Sequence, residues 1–124
     1  MTGAQQVDAY LADLPRADHR AALEDLRTRL KALLPGHVEC LSYAMPGFRQ
    51  PGAKGKMVAG YASFARNLGY YPHSGNIIGQ FPVETAGFQT SQGGILFTPE
   101  RSLPEDLLAK LIAARRAEIA AKSG

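Results

Sequence analysis

The sequence predicts an α+β domain in which N-terminal helices and a C-terminal helix pack on a twisted antiparallel sheet. Three observations predict it. Apolar residues recur at helical spacing at both ends of the 124-residue chain. The middle is broken into short β-prone runs. The connections between those runs are too short for the crossovers that parallel pairing needs, so the pairing is antiparallel. A chain of this length fits one domain, residues 1–124, that buries a core without a metal or a disulfide.

Val7, Tyr10, Leu11 and Leu14 fall on one face of a first helix, which Pro15 interrupts. Ala22, Leu23, Leu26, Leu30, Leu33 and Leu34 mark a second helix of about five turns. The Pro35-Gly36 pair stops it. Strands are expected at Val38–Tyr43, Met57–Phe64, Leu68–Tyr71 and Gly94–Thr98. Gly47 and Pro51-Gly52 read as turns, and Arg66-Asn67 as a hairpin connection. Residues 74–90 stay unassigned; Asn76–Phe81 fits a strand or a helical turn. Ser102-Leu103-Pro104-Glu105 has capping-box spacing ahead of a last helix carrying Leu108, Leu111, Ile112, Arg115 and Ile119.

The net charge of +3 is spread over the chain with no basic block, which argues against a nucleic-acid partner. A single cysteine excludes an intrachain disulfide and fits a reducing compartment. The N-terminus lacks a basic segment leading into an apolar one, and no apolar run reaches membrane-spanning length. A cytoplasmic location without membrane attachment is the expectation. No Gly-rich phosphate loop, dinucleotide fingerprint or nucleophile elbow is present. His19, His37 and His73 are too scattered to suggest a zinc site, so no metal ligands are assigned.

Cys40 has two readings, a nucleophile activated by a nearby histidine or an inert strand cysteine. The acidic residues Asp8, Asp13, Asp18, Glu24 and Asp25 could form a cation-binding ridge. Interleaved Arg16, Arg20, Arg27, Arg29 and Lys31 instead suggest a solvated face with pairs such as Asp25–Arg29. Tyr43, Met45, Pro46 and Phe48 read as a strand end entering a turn. They either wall an apolar pocket with Arg49 at its mouth or pack the core. Tyr70 and Tyr71 point to opposite faces of their strand. One of them is core; the other, with Tyr61 or Phe97, would make a stacking platform if its face were open, with Lys54, Lys56 and Arg66 as the available cations. Thr90–Gly94 is a loop whose amides offer an anion nest.

Tyr43-x-Met45-Pro46-x-Phe48, Gly69-Tyr70-Tyr71-Pro72, Thr90-Ser91-x-Gly93-x-Ile95-x-Phe97 and Leu103-Pro104 leading into Leu107-Leu108-x-Lys110 occur in order. With Val7-x-x-Tyr10-x-x-x-Leu14-Pro15 they span nearly the whole chain, which resembles the YdhG-like family of small bacterial domains of unknown function. The resemblance implies a compact α+β fold. It also implies a role in intracellular iron delivery, since some members are described as frataxin-like iron chaperones. The family often has His at the position of Asn67 and Lys at that of Gln92, and both differ here.

The expected function is a non-enzymatic, small-ligand-binding or chaperone-like domain. Its candidate ligand residues are Tyr43, Met45, Phe48, Arg49, Asn67 and Tyr71. Iron delivery, with iron carried by resemblance alone, and an enzyme using Cys40 are the alternatives. The partner is an unknown small molecule or protein, and the chain a monomer or homodimer.

Overall fold

The computed structural model describes residues 1–123. The N-terminal helix α1 (Gly3–Ala12) begins at a capping box. Thr2 Oγ1 accepts the Gln5 amide at 3.1 Å, and Gln5 Oε1 accepts the Thr2 amide at 2.8 Å. After the break at Pro15 comes α2 (Ala17–Leu33). Arg20, on its first turn, donates to the carbonyls of Leu11 and Leu14, at and just past the end of α1, the first of which also accepts the Leu14 amide. Leu23, Leu26 and Leu30 bury one face of α2, and Gly36, with φ of 76°, turns the chain out of it.

Six strands follow: β1 (Val38–Ser42), β2 (Met45–Arg49), β3 (Met57–Ser63), β4 (Leu68–Tyr71), β5 (Gln89–Thr90) and β6 (Ile95–Phe97). They form one sheet in the order β1-β2-β3-β4-β6-β5, every pair antiparallel. The last helix, α3 (Glu105–Ser123), returns over the sheet. Thus the α+β arrangement of two N-terminal helices and one C-terminal helix on an antiparallel sheet is what the chain adopts.

Cross-strand register decides the two faces of this sheet. Phe48 faces Ala59, Tyr61 faces Tyr70, Tyr70 faces Ile95, and Leu68 faces Phe97. All of these belong to the single core cluster, with Val7 and Leu11 of α1, the leucines of α2, and Leu108, Leu111 and Ile112 of α3. The opposite face carries the row Cys40, Gly47, Gly60 and Tyr71, aligned strand by strand. None of that row is in the core cluster. Among the described residues, the helices bury their apolar side chains on one face and leave the other without helical cover.

Several polar ties hold the layers together. Arg27 of α2 clamps Glu39 of β1 with two bonds, Nε to Oε1 at 2.9 Å and Nη2 to Oε2 at 2.6 Å. Its Nη1 also donates to Asp8 of α1 at 2.6 Å. The Glu39 carboxylate is only 6% exposed, so the pairing offsets its desolvation. His19 Nδ1 lies 2.7 Å from Ser63 Oγ, and the Ser63 amide donates to Tyr10 Oη at 3.0 Å, which latches both helices to β3.

Four sequence expectations change. The stretch 43–48 is not a strand end running into a turn. Tyr43 and Ala44 alone form the turn, with φ of 53° and 61°, and β2 starts at once with Met45 opposite Ser42. Gly47 is not a turn residue but lies inside β2. A Cβ there would meet Met57 Cε at 2.7 Å and the Ala59 carbonyl, so the position needs glycine for close approach. Pro46 is tolerated inside the sheet because β2–β3 pairing begins only at Gly47. Ser102 does not cap α3, which starts at Glu105; its Oγ accepts Arg29 Nη2 at 2.8 Å instead. The unassigned segment 74–90 contains a 3-10 turn at Ile78–Gln80, anchored by buried Ile77 and Ile78, and the two-residue edge strand β5. Among the described residues no helix is long and apolar enough to cross a membrane.

Replacing Arg27 by Ala leaves the buried Glu39 carboxylate with only the half-exposed Lys31 ammonium, at 3.5 Å, as a charged partner. The expected loss is about 2–4 kcal/mol of unfolding free energy, below that of a buried charge left with no partner. Asp8→Ala, which removes only the exposed partner, is expected to cost about 1 kcal/mol or less. Urea denaturation of the two variants checks the contrast.

Candidate functional site

The helix-free face is floored by small residues. Gly47 and Gly60 face each other across β2 and β3, and Ala62 faces Gly69 across β3 and β4. Side chains from neighbouring positions lie over these gaps. Met57 reaches over Gly47, with Sδ accepting from the Cys40 thiol at 3.5 Å. Tyr71 covers Gly69 and Gly94, and the His73 ring covers Gly60, its Nε2 standing 2.5 Å from where a Cβ would be.

Met57 owes its place to a bulge. The register shifts between Phe48 and Arg49, so that Phe48 pairs with Ala59 and Arg49 with Met57. The additional residue Val58 enters the core while Met57 stays on the helix-free side.

His73 and Tyr43 meet above this floor, with ring centroids 6.4 Å apart and planes inclined by 24°. Both residues have positive φ, 59° and 53°. A side-chain-bearing residue in that region costs of order 1 kcal/mol or more, and such strain gathers at functional positions. Tyr43 is 86% exposed, so beyond its contact with the His73 ring little packing offsets the cost. Burial, and secondarily the nearby Arg115 cation, hold the His73 imidazole below its ordinary pKa, so its ring is neutral at neutral pH. The loop after it is anchored to α3: Ser74 Oγ and Asn76 Nδ2 both donate to Glu118 Oε2, at 3.0 and 2.9 Å. Arg115 completes the knot, donating to Glu118 Oε1 and to the Met57 carbonyl.

Of the six candidate ligand residues, Met45, Arg49 and Tyr71 alternate onto the helix-free face, and Tyr43 stands at its end. Phe48 does not join them; it is a core side chain, 2% exposed. Arg49 is committed to structure, donating to the carbonyls of Gln50 and Gly52 in the β2–β3 loop. Asn67 lies at the far end, in a cleft of about 200 Å³ with Phe88, Gln89, Leu96 and Arg101. The Arg101 guanidinium stacks over Phe88 at 4.5 Å and donates to the Gly87 carbonyl.

Tyr61 and Phe97 face the core, so Tyr71 has no stacking platform with either of them. Burial pushes the Cys40 thiol up, and its bonded neighbour is a thioether rather than a base. Asp8, Asp18 and Asp25 are paired with Arg27, Arg16 and Arg29. Among the described residues no three of His, Cys, Asp and Glu come together as a metal site. Sequence reading passed over His73, which sits outside any regular element. The signal available was Gly60 in mid-strand, which implies that something lies over it.

A crystal structure of YdhG, a DUF1801-family protein from Bacillus subtilis, matches with a TM-score of 0.81. The chain has the YdhG fold. The match covers 91% of this chain and 90% of that one, at 21% sequence identity. It agrees with the YdhG-like resemblance of the motifs and is a likeness of fold. Neither a protein-family model nor a curated protein matches the sequence.

Glu118 carries a pH prediction. Bonds from Asn76 and Ser74, then Arg115, pull its carboxyl down from 4.5 to about 2. The unfolded chain takes up that proton at higher pH than the folded one. Its stabilising contribution is therefore complete above about 4.5 and lost as pH falls towards 2. Glu118→Gln is expected to flatten the fall in stability across that window. Denaturation midpoints measured at both ends of it check this.

Proposed function

We propose that the chain is a non-enzymatic binding domain whose ligand surface is the helix-free face of the sheet, from Tyr43 and His73 across to Tyr71. One observation carries the reading: Tyr43 is held almost fully exposed on a strained turn, facing a second strained ring over a glycine floor. A fold that needed only stability would place Asn-Gly in that turn.

The chemistry of the face favours binding over catalysis. Its groups are a raised thiol, two thioethers, tyrosines and a neutral imidazole, and these suit apolar and stacking contacts. Nothing here activates Cys40 as a nucleophile. Iron delivery draws no support from the N-terminal carboxylates, since three of them are already paired with arginine. The cleft at Asn67 and Arg101 includes Leu96, which pairs with Gly69 of the same face, and extends the surface available to a ligand at the sheet's far end.

A thermal-shift screen of cellular metabolites, followed by NMR of the hits, tests this. Hits are expected to move the signals of Tyr43, Met45, Met57 and Tyr71 and to leave those of Leu26 and Leu30 in place. Stabilising compounds that move only residues on the outer surfaces of α1, α2 or α3 would contradict the reading.

A further inference from the structure

We propose that the cleft between Asn67 and Arg101 takes a small monocarboxylic acid with an apolar body, Arg101 holding the carboxylate. The inference rests on the helix-free face being the ligand surface, and it names the ligand class at the β5–β6 end of that face.

The cleft joins the face by register. Leu96 pairs with Gly69 on one side and with Gln89 on the other, so the three positions share one side of the sheet. The Tyr71 ring lies over Gly69, which makes the cleft continuous with the rest of that face.

Three contacts fix Arg101. Its amide donates to the Thr98 carbonyl at 3.1 Å across a tight turn. Its guanidinium lies over the Phe88 ring, 4.5 Å from the centroid. Its Nη1 donates to the Gly87 carbonyl at 2.8 Å. Gly87, with φ of 90°, makes room for this, since a Cβ there would stand 2.8 Å from Nη2. Among the described residues Arg101 nevertheless pairs with no carboxylate, unlike Arg27, Arg29 and Arg115. Its Nε and Nη2 have no hydrogen-bond partner among those residues either. A cation held in a cleft without a counter-charge is organised for an anion before the anion arrives.

The chemistry of the cleft narrows the class of anion. Nε and Nη2 form one edge of the guanidinium, and their two N–H groups match the two oxygens of a carboxylate. Among the described residues no second cation lines the cleft, so it neutralises one negative charge. A phosphate group carries more than one at neutral pH. The remaining walls are apolar at Phe88 and Leu96 and carry the amides of Asn67 and Gln89. The volume of about 200 Å³ is below the roughly 300–1,000 Å³ of sites for drug-sized ligands, so the acid is small.

Full-length protein titrated with benzoate, isovalerate, benzamide and inorganic phosphate tests the proposal, read by calorimetry and by NMR at the Leu96 methyls and the Arg101 Nε–H. Both acids are expected to shift these signals and to bind more weakly as salt rises. Benzamide and phosphate are expected to bind roughly tenfold more weakly than benzoate, or worse. Arg101→Gln is expected to weaken benzoate binding by roughly tenfold or more, and Arg101→Lys to recover only part of the loss. Gln89→Glu, a change of similar shape at an exposed position, sets a carboxylate in the same cleft and is expected to weaken benzoate while Arg101 stays in place. That variant decides if Arg101→Gln fails to fold. Unchanged benzoate affinity in Arg101→Gln or Gln89→Glu, or equal affinity for benzoate and benzamide, overturns the site. A carboxylate also ends every peptide chain; an acetylated tripeptide that binds more tightly than both acids would overturn the free-acid assignment. If neither acid shifts Leu96 but other compounds move Met45 and Tyr71, the cleft falls while the ligand surface stands. If no compound of any class moves that face, both fall.

Discussion

Two glycines facing each other across adjacent strands are the constraint on which the helix-free face depends. Gly47 and Gly60 leave a side-chain-free patch in the middle of a row that runs from Cys40 to Tyr71. Met57 and His73 occupy that space from above, in contact with the backbone. Neither arrangement survives a Cβ, since each would stand closer than real Cβ contacts allow. Glycine in a strand costs conformational entropy and loses packing, so its presence twice at one register position implies a compensating use. That use is to lower a thioether and an imidazole onto the sheet.

The remaining architecture serves this by keeping all three helices on the other side. The core row of Phe48, Ala59, Tyr61, Tyr70 and Ile95 is large and apolar, so the sheet has one face worth burying. The bulge at Phe48 and Arg49 adds Val58 to that core without drawing in Met57. The clamp of Arg27 on Glu39 ties α2 to the edge strand β1, and α1 lies close against the same strand at Gly3. An edge strand so covered is shielded from pairing with another chain.

The sequence was informative where physics is local and periodic. The leucine spacing of α2, the apolar run of β3 and the Pro35-Gly36 stop each express a preference of a few neighbouring residues, and each appears where that preference places it. Gly47 reads as a turn in the sequence because a glycine at a turn and a glycine under a crossing side chain look alike in one dimension; only the register with Gly60 separates them. Ser102 had the spacing of a cap, but Arg29, distant in sequence, takes its hydroxyl. Four of the six candidate ligand residues, Tyr43, Met45, Arg49 and Tyr71, fall at the helix-free face or its end, because alternation along β2 and β4 sends odd-numbered positions there. The same alternation sends Phe48 to the core. His73 was illegible because a loop residue with positive φ has no periodicity to betray its direction.

The central claim is that one sheet face is open and carries side chains seated on glycine. Relaxation of side-chain NMR signals by a soluble paramagnetic probe tests it most directly. The Tyr43 ring and the Met45 and Met57 methyls should relax strongly, while Phe48, Tyr61 and Tyr70 stay protected. Protection of Met45, Met57 and Tyr43 to the same degree as Tyr61 would show that face to be covered, and would contradict the claim.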